Sequence, residues 1–367
     1  LFYALKHTFL SLPCVSITYK IHFFSPDEAG DGCETWQTAR LSKISQWRVY
    51  AFYWNICIAL PFFSLFSRAF SLTLFENIET MNRIKALFLS LSICALPAAA
   101  QSLEVRWHNE ATDTTRITDM LKEAAAIRFA NPSARTAWFG KKFIDTPYVA
   151  HTLEGDNEAL TINLDELDCT TFVETAMALS YTAGEQRLGW QDFLYNLRRL
   201  RYRGGEVNGY ASRLHYICDW AMDNIHRGNF KDITRDMPKC KFMIRTIDFM
   251  SAHRDSYPAL KDSVEFERIK AVENGYRNHR FPYIKTSDLA SKDVMNSLRE
   301  GDILAFVSNL KDLDVTHMGM VVAEDGKMKV LHASSTDKKV EVSKTTLPDF
   351  VKRNRSWIGV RVFRLSE

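Results

Sequence analysis

The 367-residue chain has no dominant charge. Its 47 Lys and Arg stand against 44 Asp and Glu, a net of +3, which excludes the concentrated basic face that marks nucleic-acid binders. From Gln101 onward it also lacks internal repeats, low-complexity runs and a Pro/Gly-rich linker, which excludes a solenoid or a string of separate modules. No CxxC or HExxH spacing occurs, so the common zinc sites are not written into it. What is present is apolar: 46% of the residues are hydrophobic and 25% charged, enough for a core and too apolar for a disordered tail.

An interruption sits about a quarter of the way in. Met81-Asn82-Arg83-Ile84-Lys85 is a short cationic start, Ala86 to Leu96 is uncharged and apolar, and Ala98-Ala99-Ala100 before Gln101 offers small side chains to a peptidase. In that order and at those lengths they make a secretory signal peptide at 81–100. Residues 1–80, which begin at Leu1, then read as an upstream segment that is not part of the mature protein. Tyr50 to Ser67 is free of charge and near the ~18-residue lower limit of a spanning helix, but Asn55 and Pro61 interrupt it. Ile93 stands where a lipid-attachment motif around Cys94 wants a small residue. The expected mature protein is therefore exported, periplasmic or otherwise in the cell envelope, without stable membrane insertion.

Residues 1–100 hold 8 basic and 6 acidic side chains, so the remainder carries 39 against 38, a net of +1. Seven cysteines become three: Cys169, Cys218 and Cys240. In an oxidising compartment an odd number leaves at least one thiol unpaired; whether Cys218 and Cys240 pair stays open.

Residues 101–367 read as one catalytic domain of α+β class, helices first and antiparallel sheet second. Helical spacing covers Thr118 to Phe129, Cys169 to Tyr181 and Trp190 to Arg201, the arginines of the last lying on a solvated face. Past Gly301 the period shortens toward 2 in Asp302–Val307, Met318–Val322, Lys329–His332, Val340–Val342 and Gly359–Arg364. Residues 228–290, with Pro238, Pro258 and Pro282, are expected to form an insertion of short helices over the sheet edge.

Three segments carry chemistry. Asp168 can cap a helix whose first turn holds Cys169, where unpaired N–H groups and the positive dipole end favour thiolate, as a neighbouring imidazolium would. If Asp325-Gly326 is a two-residue hairpin turn, His317 stands opposite Ser334 with His332 two residues along the same face; a turn at Glu324-Asp325 sets the two histidines directly opposite. Either register lets one imidazole act as base while the other holds its tautomer. In Ser212-Arg213-Leu214-His215-Tyr216, Arg213 and Tyr216 at i, i+3 could face one ligand.

Pro147-Tyr148, Asp168-Cys169, Gly301-Asp302-Ile303-Leu304, His317-Met318-Gly319 and His332-Ala333, in that order, resemble the NlpC-type, papain-like cell-wall cysteine peptidases. Leu167 to Glu174 (LDCTTFVE), Ser212 to Tyr216 (SRLHY) and Gly359 to Val362 (GVRV) resemble, within them, the N-acetylmuramoyl-L-alanine amidase-like branch, over nearly all of 115–367. Thr170 and Thr171 replace the serine and glycine usual after the nucleophile, a departure that suits that branch better than the endopeptidases. The resemblance implies a papain-like fold, a helical part with the nucleophile packed on a sheet with the histidines. It implies Cys169 as nucleophile, His317 as general base and then acid, and His332 as the residue orienting it. Tyr148 would line the site, with Ser212, Arg213, His215 and Tyr216 as substrate contacts and Arg213 suited to a carboxylate of the peptide stem. The implied protein is a monomer that needs no cofactor or metal and hydrolyses the N-acetylmuramoyl-L-alanine amide of peptidoglycan or muropeptides. The alternatives are a stem-peptide endopeptidase on the same scaffold, a zinc site of Cys169, His317 and His332, and a non-catalytic wall-binding module.

Overall fold

The computed structural model describes residues 104–366; the expected signal peptide at 81–100 and the segment before it lie outside the described residues. Within 104–366 the chain is mixed helix and antiparallel sheet. The helices are α1 (Glu110–Ala125), α2 (Pro132–Lys141), α3 (Cys169–Gly184), α4 (Trp190–Arg201), α5 (Ile217–His226), α6 (Phe249–Ala252), α7 (Ser263–Asn274), α8 (Lys292–Ser297) and α9 (Leu347–Arg353). The strands are β1 (Val105–Trp107), β2 (Leu160–Ile162), β3 (Phe230–Asp232), β4 (Lys241–Arg245), β5 (His279–Lys285), β6 (Ile303–Ser308), β7 (Val315–Glu324), β8 (Lys327–Ser334), β9 (Lys339–Val342) and β10 (Trp357–Leu365). The last eight form one sheet in the order β4-β5-β10-β6-β7-β8-β9, with β3 alongside the end of β10, while β1 and β2 form a separate parallel pair.

The sheet is covered on both faces. Met318, Met320, Leu331 and Ala333 pack against Phe172, Val173, Ala176 and Met177 of α3 within the larger core. On the other face Leu304, Phe306, Val321, Val330 and Val360 meet Val294 of α8 and Leu347 and Val351 of α9. Strand alternation explains this division, since successive side chains of β7 and β8 point to opposite faces.

Asp325 and Gly326 both have positive φ, 52° and 70°, and Glu324 pairs with Lys327. This is the two-residue turn whose twist matches a hairpin. Of the two registers open to the sequence, it selects the one that carries His317 to a place opposite Ser334. Gly301, at φ +84°, has a similar necessity: a Cβ there would lie 1.7 Å from the Ser133 carbonyl oxygen of α2.

The sequence expectations differ from the structure in three places. The first helix begins earlier, at Glu110, because Asn109 caps it by accepting from the Thr112 amide, and it ends at Ala125. Arg201 is not solvated but 2% exposed, its Nε 2.6 Å from Glu174 Oε2 of α3 and its Nη1 donating to the Thr161 carbonyl of β2. Residues 228–290 contribute β3, β4 and β5 as well as short helices, and β5 lies inside the sheet between β4 and β10. Pro282 of β5 lies opposite Phe242 of β4 and outside the short stretch, Ile284 and Lys285, that pairs with β10.

Candidate active site

Cys169 is the first residue of α3. Asp168, in extended conformation, accepts from the Thr170 and Thr171 amides at 3.0 and 2.7 Å, and the Thr171 hydroxyl accepts from the Asp168 amide at 2.9 Å. This reciprocal cap satisfies the amides of the first turn and holds the cysteine where the helix meets β7. The Met318 and Cys169 amides and the Thr170 hydroxyl, 4.0 Å away, all lean on the sulfur and favour thiolate. Burial opposes them more strongly, followed by the Asp168 carboxylate, and the thiol is pushed up to about 12. The cap that seats the cysteine therefore also disfavours its charge, contrary to the expected thiolate.

His317 Nε2 and His332 Nδ1 are 3.0 Å apart. The rings lie on the face of the sheet opposite α3: His317 stacks on Trp357 at 5.4 Å and 9° and leans on Phe306, and His332 packs on Phe350. Burial pulls His317 down to about 3, with the neighbouring His332 adding to the effect. Burial likewise pulls His332 down to about 4, against the raising influence of the Ala333 backbone and Asp337. Both imidazoles are thus neutral across the physiological range, and His332 Nε2 is buried without a partner.

The sulfur and His317 are neighbours along β7, through the Met318 amide, rather than hydrogen-bonded to each other. Tyr148 completes this group. Its amide donates to the Lys338 carbonyl at 2.9 Å, and the segment pairs in parallel with Leu167, just ahead of the nucleophile position. Its hydroxyl is pushed up to about 12 by burial, then by Cys169 and Asp168.

Ser212, Arg213, His215 and Tyr216 lie elsewhere, and among the described contacts none bonds Cys169, His317 or His332. The Arg213 guanidinium is 7% exposed, 2.8 Å from Glu154 and 3.4 Å from Glu158, and lies over the Tyr210 ring. His215 packs on the same ring, and its Nε2 is 2.9 Å from the Tyr210 carbonyl oxygen. Burial pulls it down to about 3. Tyr216, 3% exposed, donates to Glu273 and accepts from the Met250 amide. Ser212 donates to the Gly209 carbonyl and accepts from the Asn208 amide. The carboxylate expected opposite Arg213 is the protein's own, and the polar groups of Ser212 and Tyr216 serve the turn and the α7 junction.

A cleft of about 800 Å³ adjoins the histidine pair, lined by His317 and His332 and by residues of β9, α9 and the segment leading into β10. Trp357, Phe306 and Phe350 were not anticipated as site residues, although the pairing of Phe306 with His317 across β6 and β7 follows from strand register. Cys169, Cys218 and Cys240 are all free thiols, so the last two do not pair. Among the described residues no three His, Cys, Asp or Glu side chains converge as a metal-binding group, and no helix is long and apolar enough to cross a membrane.

The AmiA-like family, described as N-acetylmuramoyl-L-alanine amidase-like, matches residues 138–360. The chain belongs to this family. A structure of an N-acetylmuramoyl-L-alanine amidase from Bacteroides uniformis is 39% identical, with TM-score 0.61, over 64% of this chain and 99% of that one. A Bacteroides fragilis protein proposed to be a xylanase is 38% identical, with TM-score 0.58, over 62% and 100%. The Legionella pneumophila protein LPG0564, at 18% identity and TM-score 0.56 over 70% and 96%, shares the fold. No curated protein matches the chain.

Proposed function

We propose that this protein is an exported cysteine amidase of papain-like fold that cleaves the amide between N-acetylmuramic acid and L-alanine in peptidoglycan or its fragments. The observation that carries this reading is the pair of neutral imidazoles, 3.0 Å apart, one of them on the strand whose Met318 amide meets the Cys169 sulfur at the start of a capped helix. Membership of the amidase-like family supports the substrate class, and the 81–100 segment supports export to the periplasm or cell envelope, where a monomer would act.

With a thiol at about 12 and His317 at about 3, the resting pair is neutral. Deprotonation then accompanies attack: because sulfur and imidazole share no hydrogen bond, the thiol proton passes to His317 Nδ1 through one water as the S–C bond forms and the carbonyl electron pair moves to oxygen. His332 receives the Nε2 hydrogen bond and fixes the tautomer that leaves Nδ1 free. The Cys169 backbone N–H stabilises the oxyanion. Collapse breaks the C–N bond, and the departing amine takes the proton from His317. Water then adds to the thioester, its proton passing to His317, and the lactyl carboxylic acid leaves as the thiol is restored. Tyr148 lines the acyl side.

Digestion of defined muramyl peptides by residues 101–367, read by mass spectrometry, tests the reading. A released peptide with a free L-alanine amino terminus is expected. A product that retains muramyl-L-alanyl-D-glutamate, with the new amino terminus further along the stem, would overturn the bond assignment in favour of an endopeptidase.

A further inference from the structure

Chemistry at Cys169 fixes which side of the site the leaving group takes. The departing amine must receive its proton from His317, so the chain attached to that amine continues on the imidazole side of the reacting carbonyl. The cleft of about 800 Å³ is lined by that imidazole and by His332, and its volume lies within the roughly 300–1,000 Å³ range of sites that enclose a ligand. Its acids are internally occupied: Asp337 is 3.3 Å from Lys344 and draws on the neighbouring Glu341, whose carboxyl is raised by burial and by that contact. Arg353 and Arg355 line the same cleft, are exposed, and make no ion pair among the described residues. The cleft thus carries Lys344, Arg353 and Arg355 against the carboxyls of Asp337 and Glu341, and the two guanidiniums are its charges without an ion-pair partner among the described residues.

The histidines fix a tautomer. If His317 Nδ1 is to accept the thiol proton, its own proton sits on Nε2 and is donated to His332 Nδ1, so His332 carries its proton on Nε2. That nitrogen is buried and has no partner, and its ring lines the cleft. Beside these rings the two unpaired guanidiniums suit a ligand bearing carboxylates. Arg213, the other candidate for such a contact, is already held by Glu154 and Glu158.

We propose that this cleft receives the leaving stem peptide and that Arg353 and Arg355 select stems with free carboxylates over amidated ones. The proposal rests on the amidase reading of Cys169 and deepens it by assigning the peptide side of the substrate.

The test uses two muramyl peptides that differ only in whether the stem carboxylates are free or amidated. Cleavage kinetics are compared for the wild-type protein and the Arg353→Gln, Arg355→Gln double variant. In parallel, calorimetry measures binding of both ligands to Cys169→Ala, with and without the arginine changes. The expected result is that the preference for the free-acid stem, as a ratio of kcat/KM and of affinities, falls about tenfold in the double variant. It should also shrink with added salt, as contacts of exposed charges do. An unchanged preference in both measurements would overturn the proposal and leave Cys169 untouched. Hydrolysis surviving Cys169→Ala would instead overturn the parent reading, while the calorimetry would still report on the cleft.

Discussion

At Cys169 two influences pull in opposite directions. Helix position and three hydrogen-bonding groups favour thiolate, while burial and the Asp168 carboxylate favour thiol and prevail. Iodoacetamide labelling of Cys169, followed by peptide mapping, should therefore keep accelerating as pH rises past 9. A plateau already reached at pH 7 would mean a preformed ion pair and contradict this account. Asp168→Asn keeps a good cap and removes the like charge, so it should raise the labelling rate at fixed pH by roughly two- to tenfold. No change would show that the carboxylate does not act on the sulfur. The sequence displayed the cap because Asp168 and Thr171 stand three residues apart, with Cys169 in the first turn between them. It could not display the depth of burial or the Met318 amide, which depend on how closely α3 is laid on β7.

Among the elements, α3 is the one on which the proposed chemistry rests, and it is moored by a charge pair read from sequence as solvent-facing. Arg201 and Glu174 are 3% and 2% exposed at 2.6 Å, and Arg201 also ties α4 to β2 through the Thr161 carbonyl. Removing one member strands a buried charge, so Glu174→Ala should cost about 3–5 kcal/mol in denaturant unfolding. A loss below ~1 kcal/mol, the ordinary value of a surface pair, would contradict the burial described. The helical period of α4 gave its boundaries, yet amphipathicity alone could not tell that its last arginine turns inward to meet an acid 27 residues earlier. The β7–β8 hairpin was more legible. Turn chemistry at Asp325-Gly326 together with the period of two fixes the face shared by His317 and His332, with only the choice between two registers left to the structure. Strands β3 and β5 were not legible, because their pairing with β10 joins segments more than 70 residues apart, and β4 has only β5 to pair with.

For the molecule as a whole, three neutral histidines, buried or half-buried, set the acid limit. His215, His317 and His332 are pulled down to about 3, 3 and 4, whereas in the unfolded chain they titrate near ~6.5. Between those values the unfolded state binds protons that the native state refuses, so the stability present above pH ~6.5 is lost as pH falls toward 4. The unfolding temperature should drop over that window, and His215→Asn should make the drop shallower. A flat profile from pH 6.5 to 4 would contradict neutral burial of the three rings. The α+β class of the domain and its helix-then-sheet order were readable in the sequence. The second covering layer of α8 and α9 and the cleft beside the histidines arise from long-range packing that no local pattern records.

The central claim is that Cys169 supplies the nucleophile, and cleavage of a defined muramyl peptide by Cys169→Ala measures it most directly. The account predicts a loss of at least about 10³-fold in kcat/KM with the unfolding temperature unchanged within a few degrees. Turnover within tenfold of the wild-type protein by a folded Cys169→Ala variant would contradict it.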